Sequence, residues 1–274
     1  MKNKENNGAP KGESIMTPAN DTHTTICHSN EVKDLIERGA IFYVSHSGGK
    51  DSQAMYAELF SIVPKDQIVV VHADLGEIEW TGVQDHIHAN IQHELNVVES
   101  HKTFFDMVRR RRATRDDVPS WPSSDHRQCT SDLKRDPIYK FIRNDMKQRG
   151  SVLAVNCMGL RASESPARAK KETFKLNVRL SKAGREVFEY LPIHHYTDDQ
   201  VFATIAVAGQ SPFWAYKSGN KRLSCVFCIM GCDNDLRNGA KQRPDLYQKY
   251  LALEKETGWT MFNGKSLRDR VEGT

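Results

Sequence analysis

The chain contains no uninterrupted apolar run of the ~18 residues that a membrane-spanning helix requires. Its opening stretch, MKNKENNGAPKGESIMTPANDTHTT, lacks the apolar centre of a secretory signal, so a cytoplasmic location is the expectation. The same stretch is rich in Asn, Gly, Pro, Thr and Lys, which predicts a disordered tail over residues 1–29. No internal repeat is present. Neither sign of charge dominates: the formal net charge is +4, too small to imply nucleic-acid binding by itself. Cysteine is scarce, with six in 274 residues, and a reducing compartment argues against a disulfide framework. Two phosphate-binding signatures are also missing, the GxxxxGK[ST] loop and the GxGxxG fingerprint.

The charge and the cysteines are unevenly placed. Arg109, Arg110, Arg111 and Arg112 are consecutive, with Arg115 close behind. Eight Lys or Arg fall between Arg161 and Arg185, against Glu164, Glu172 and, just beyond, Glu186. Both stretches are candidate anion sites, or plain solvated basic faces. Cys225, Cys228 and Cys232 lie within eight residues, a grouping that suggests a metal or redox role. Cys157 sits inside an apolar run and reads as core, while Cys27 falls in the polar tail.

Hydrophobic spacing divides the rest into alternating strands and helices. Strands are expected at 40–46, 67–76, 96–100 and 151–160, where the residues are apolar and β-rich. Helices are expected at 30–39, 51–63, 78–95, 104–112 and 136–150, the last with Pro137 in its first turn and Gly150 at its end. This alternation predicts an α/β fold, a parallel sheet with helices on both faces. Residues 113–129 and 211–235 read as long loops, and 175–193 as a hairpin. A helix at 197–209 opens with Thr197 and Gln200 in capping-box spacing, and a last helix covers 244–258.

At the end of the first strand stands Ser45-His46-Ser47-Gly48-Gly49-Lys50-Asp51-Ser52, followed directly by helical spacing. The first turn of a helix has unpaired N–H groups and a partial positive charge, so it attracts phosphate. Two glycines allow close approach of the backbone, Lys50 adds a mobile charge, and the serine hydroxyls add donors. In open α/β sheets, ligands bind at this carboxyl end of the strands.

The string Ser47-Gly48-Gly49-Lys50-Asp51-Ser52 resembles the SGGKDS loop of the PP-loop (adenine nucleotide alpha hydrolase-like) superfamily. Three further blocks resemble its PAPS (phosphoadenylyl-sulfate) reductase family. These are His72-Ala73-Asp74-Leu75-Gly76-Glu77; Cys129 with Leu133-Lys134 and Pro137; and Gly159-Leu160-Arg161-Ala162-Ser163-Glu164-Ser165 with Arg168. Leu191-Pro192-Ile193, and Pro212 ahead of Ser224-Cys225, also follow in the family's order, so the resemblance spans roughly residues 31–235. It implies a Rossmann-like nucleotide-binding domain over 30–195, with a helical, Cys-bearing part over 196–274 packed on the same domain.

The resemblance further implies that Ser45, Ser47, Gly48, Gly49, Lys50, Asp51 and Ser52 hold the phosphates of ATP or PAPS. Gly159, Arg161, Glu164 and Arg168 would then contribute from a second loop, with Lys50, Asp51 and Arg161 as the candidate catalytic groups. By the same resemblance Asp74 would border the nucleotide and is a candidate Mg²⁺ ligand, or the cap of the next helix. Cys129, Cys225, Cys228 and Cys232 make a candidate metal set, and spacing leaves a [4Fe–4S] cluster, Zn²⁺ or plain thiols open. The resemblance favours the cluster, because some family members carry four such cysteines, and Gln128 before Cys129 brings the pattern nearer the sulfurtransferase of DNA phosphorothioation.

The ending TMFNGKSLRDRVEGT lacks the E-C-G-[LI]-H segment of reductases proper, and Leu75 replaces the usual Thr. The expected function is therefore sulfur activation or transfer through adenylate chemistry. Release of sulfite from PAPS, or non-catalytic nucleotide or nucleic-acid binding, are the alternatives. An adenine nucleotide is the expected partner, with a nucleic acid or protein as candidate sulfur acceptor or donor.

Overall fold

The structure, a computed structural model, describes residues 30–273. The expected tail over 1–29, Cys27 included, lies outside the described residues. The chain enters with α1 (Asn30–Glu37), turns at Gly39 and forms β1 (Ile41–Ser45), then α2 (Lys50–Ile62). Next come β2 (Ile68–Asp74), α3 (Val83–Asn90), β3 (Leu95–Glu99) and α4 (Phe104–Thr114). A long loop leads to α5 (Gln128–Thr130), which continues through one π-helical turn into α6 (Asp136–Arg149). Then follow β4 (Leu153–Cys157), α7 (Pro166–Ala169), β5 (Phe174–Leu176) and β6 (Glu186–Tyr190). The remainder is helical: α8 (Asp198–Val207), α9 (Trp214–Lys217), α10 (Asp233–Gln242), α11 (Pro244–Thr257) and α12 (Leu267–Glu272).

The six strands form one sheet in the order β3-β2-β1-β4-β6-β5. All pairs are parallel except β5, which runs antiparallel to β6 in the expected hairpin. From β1 the chain builds outward through β2 to β3, then returns to lay β4 on the other side of β1. The connections leaving β1 and β4 therefore diverge, and a crevice opens at their carboxyl ends.

Side-chain alternation explains why both faces are covered. Phe42, Val44, Val70 and Val155 join one buried cluster with residues of α1, α2, α8, α10, α11 and α12. Tyr43, Val69, Val71 and Ala154 point the other way, onto Tyr139, Ile142 and Met146 of α6. Cys157 is buried in the first cluster, as its apolar setting predicts, and burial pushes its thiol pKa up. No described helix is long and apolar enough to cross a membrane.

Three expectations need correction. The helix expected over 78–95 spans only Val83–Asn90, because Gly82 takes a left-handed conformation (φ 82°) and Leu95 already belongs to β3. Cys129 is not on a loop but in the first turn of the helical run that becomes α6. The stretch 211–235 is not all loop: it contains α9 and the start of α10.

Candidate functional site

The turn after β1 is built by its own side chains. Gly48 has φ 73°, and a Cβ there would lie 2.8 Å from Val83 Cγ1 on α3, so this position needs glycine for both conformation and space. The Gly48 N–H donates to His46 Nδ1 at 3.1 Å. The Ser52 hydroxyl donates to the Gly49 carbonyl at 2.8 Å and accepts the Ser47 N–H at 3.1 Å. Ser47 Oγ lies 3.2 Å from Ser52 Oγ. Ser45, the last residue of β1, pairs in register with Val71. The turn is thus closed before any ligand arrives, and the first turn of α2 faces the crevice.

A segment that the sequence did not single out covers this turn. Tyr216 accepts the Lys50 N–H at 2.9 Å, and burial raises its phenol pKa. A Cβ on Gly49 would meet Leu223 Cβ and the Tyr216 hydroxyl, each at 3.4 Å. The N–H groups of Asp51 and Ser52 lie in the same first turn, where no intrahelical acceptor exists.

The loop after β4 approaches from the other side. A Cβ on Gly159 would sit 2.9 Å from the Asp51 carbonyl oxygen and 3.1 Å from the Ser52 nitrogen. Gly159 thus lets two backbones touch. Two residues later Arg161, 4% exposed, donates through Nε to Asp51 Oδ1 at 2.7 Å and through Nη2 to Asp198 Oδ1 at 2.5 Å. Its Nη1 donates to Ser163 Oγ and to the Tyr196 carbonyl, both at 3.1 Å. Burial works against the guanidinium charge, but Asp51 and Asp198 outweigh it and raise the pKa. Lys50, 5% exposed, reaches Asp51 Oδ1 at 3.2 Å and Asp198 Oδ1 at 3.1 Å, with Phe202 6.0 Å away. The lysine expected to be mobile is pinned.

Asp198 was not among the residues expected here. It is the first residue of α8, inside the Thr197–Gln200 capping box. Its only sequence signal was an acidic residue at a helix start, which also serves the helix dipole.

The remaining candidates play supporting parts. Glu164 accepts the Arg161 N–H at 2.9 Å and forms an ion pair with Arg168. Asp74 ends β2 and closes its own turn, accepting from the Gly76 N–H at 2.7 Å and from Gln84 Nε2 at 3.0 Å. Both its oxygens are engaged in these contacts, and it is not the N-cap of α3, where Gly82 stands. The arginine run is largely tied to its own chain: Arg109 to Glu256 (2.8 and 3.0 Å), Arg112 to the Asp116 carbonyl (3.1 Å), Arg115 to Asp117 (2.8 and 2.9 Å).

The cysteines gather only in part. Cys129, Cys225 and Cys228 interact electrostatically with one another and with the Lys134 ammonium. Burial raises the Cys129 and Cys225 pKa values, and Lys134 acts against that. Cys232 instead occupies the N-cap of α10, its N–H donating to Asp235 Oδ2 at 3.3 Å. Among the described residues, no set of three or more His, Cys, Asp or Glu converges as ligands for one ion. The donor set as arranged does not fit a four-thiolate cluster or a structural Zn²⁺ site.

Comparison with known proteins gives this geometry a setting. An uncharacterised protein of Methanocaldococcus jannaschii is 25% identical over 218 residues, 78% of this chain and 41% of that protein. An uncharacterised 37.8 kDa protein of Escherichia phage 186 is 31% identical over 117 residues, 42% of this chain and 34% of that protein. The chain thus spans less than half the length of either relative. Among solved structures, phosphoadenylyl-sulfate reductase from Candida auris aligns at 14% identity and TM-score 0.44, covering 69% of this chain and 86% of the other. FMN adenylyltransferase from Candida glabrata aligns at 12% and 0.42, covering 69% and 55%. A 4-thiouridine synthetase–RNA complex with bound ATP aligns at 14% and 0.36, covering 80% and 53%. The phosphoadenosine phosphosulfate reductase domain matches residues 41–230, which include β1, the glycine turn, Arg161 with both its carboxylate partners and three of the four candidate cysteines. This chain belongs to the phosphoadenosine phosphosulfate reductase domain family.

Proposed function

We propose that the chain binds an adenine nucleotide with its phosphate tail at the first turn of α2 and uses it to activate sulfur transfer. The observation that carries this reading is the close contact of Gly159 with Asp51, which sets a second loop, with its buried Arg161, against the opening turn of α2. Backbone donors at a helix start and two buried cations, one opening α2 and one on the loop after β4, suit a polyphosphate or phosphosulfate tail.

In the reaction, an acceptor oxygen attacks the α-phosphorus of ATP. The bond from that phosphorus to the bridging oxygen breaks, and pyrophosphate departs with both electrons. Lys50, Arg161 and the helix start stabilise the charge that develops on the leaving oxygens. A sulfur nucleophile then displaces AMP from the acceptor. Any Mg²⁺ would be held mainly by the phosphates, since Asp74 is engaged in its turn.

Pyrophosphate release after addition of ATP and Mg²⁺ tests the reading. The wild type is expected to release it, and Asp51→Ala and Ser52→Ala to lose that release; equal release by both variants contradicts the site. The family match favours a second reading, cleavage of PAPS to sulfite. Sulfite formed from PAPS with a thiol donor, without pyrophosphate release from ATP, decides for it.

A further inference from the structure

Lys50 and Arg161 are buried cations that face one site from two elements. Two such charges repel, and burial is tolerable only with anions beside them. Asp51 is one of those anions, fixed on the first turn of α2 next to Gly159. Asp198 is an anion of a different kind. One oxygen, Oδ1, takes both Lys50 Nζ at 3.1 Å and Arg161 Nη2 at 2.5 Å, while the side chain stays 66% exposed. Partial burial would raise the Asp198 pKa, but its contacts with Lys50 and Arg161 lower it.

A single oxygen reaching two buried cations from the solvent side makes the contacts that a phosphate oxygen would make. The side-chain charges also balance: Lys50 and Arg161 are cancelled by Asp51 and Asp198, so with Asp198 in place these four groups add no net charge to the attraction of the α2 start.

We propose that Asp198 is a stand-in anion, which fills the phosphate-oxygen subsite between Lys50 and Arg161 and withdraws when a nucleotide's phosphate or sulfate tail enters. This rests on the nucleotide reading given above. Withdrawal leaves both cations in place. Arg161 keeps Asp51, Ser163 and the Tyr196 carbonyl, and Lys50 keeps Asp51 and the nearby Phe202 ring. The capping box of α8 is made by Thr197 and Gln200, so the Asp198 side chain can turn away without unwinding the helix. An internal competitor of this kind selects for multiply charged tails. A monoanion replaces one carboxylate with no gain, whereas a pyrophosphate group also engages the donors of α2.

The test is calorimetric titration of the full chain with inorganic pyrophosphate and with ATP. It compares wild type, Asp198→Asn, Asp198→Ser and Asp199→Asn. Asp199 carries the same charge one residue along but makes no contact with either cation. Removing a competitor that occupies the subsite about nine times in ten tightens binding about tenfold. Asp198→Asn and Asp198→Ser are expected to show that gain, and Asp199→Asn to stay within about twofold of wild type. Wild-type binding with equal or weaker binding by both Asp198 variants overturns the proposal and makes Asp198 a fixed support for the two cations. An equal gain in Asp199→Asn also overturns it, because long-range charge then accounts for the effect. Failure of every form to bind pyrophosphate and ATP overturns the nucleotide reading itself, and the proposal with it.

Discussion

Gly159 shows how much one missing methyl group positions. Its absent Cβ would press on the Asp51 carbonyl oxygen at 2.9 Å, and backbone cannot yield as a flexible side chain can. Gly159→Ala is expected to destabilise the fold by about 1–3 kcal/mol, the usual cost of overpacking, read by urea unfolding. An unchanged unfolding midpoint would mean that the loops are not held in contact. His46, 2% exposed, makes a pH prediction. Burial first, and then the charges of His72 and His86, push its pKa down to about 3. The unfolded chain binds a proton near pH 6.5, so stability falls as pH drops below that value, by about 2 kcal/mol at pH 5. His72 acts in the opposite sense. Burial opposes its charge most strongly, but the Glu79 hydrogen bond and charge, the His46 carbonyl and the Asp74 charge together outweigh it and raise its pKa. Its stabilisation is therefore full below about 6.5 and lost as pH rises through the folded value. His46→Gln should reduce the loss of stability between pH 7 and pH 5 by about 2 kcal/mol in urea titrations; an unaltered loss contradicts the assignment. At this scale the glycine turn was legible because its residues are contiguous. Asp198 and Tyr216 were not, because only the folded chain brings them to Lys50 from about 150 residues away.

Among the elements, α8 matters most to the site, since its first residue bridges the two buried cations. Its capping box satisfies two end groups reciprocally, Gln200 N–H to Thr197 Oγ1 at 3.2 Å and Thr197 N–H to Gln200 Oε1 at 2.9 Å. Thr197→Ala should cost about 1 kcal/mol of stability. Thr103→Ala, which removes the matching cap of α4, should cost a similar amount yet leave nucleotide affinity unchanged, because α4 supplies no group to the cradle. Calorimetry and thermal melting of both variants check the pair, and a drop in affinity with Thr103→Ala goes against this division of roles. The Thr197 cap was legible as a Thr-x-x-Gln string. The caps at Thr103 and Ser266 were equally present, with Asp at the third helical position, but the shorter acid made a weaker signal. The overlong expectation for α3 has a simple cause: apolar spacing runs on past Gly82, whereas the backbone there turns left-handed.

At the scale of the whole molecule, alternating strand and helix signals foretold a parallel sheet covered on both faces, and the two buried clusters have that arrangement. Strand order was not legible. Nothing in the apolar run of β4 says that it returns beside β1, yet that return opens the crevice and brings Arg161 to Asp51. The four cysteines were readable as a group; in the fold Cys232 opens α10, Cys129, Cys225 and Cys228 lie around Lys134, and among the described residues no three ligands converge on one ion. Spacing along a chain does not fix convergence in space. The central claim, that a nucleotide's phosphate tail rests on the opening turn of α2, is tested most directly by amide hydrogen exchange with and without ATP or PAPS. The account predicts slower exchange in peptides covering 45–54 and 158–168, with no change across α4. Ligand-bound protein with unaltered exchange in both stretches, or with protection confined to other segments, would contradict it.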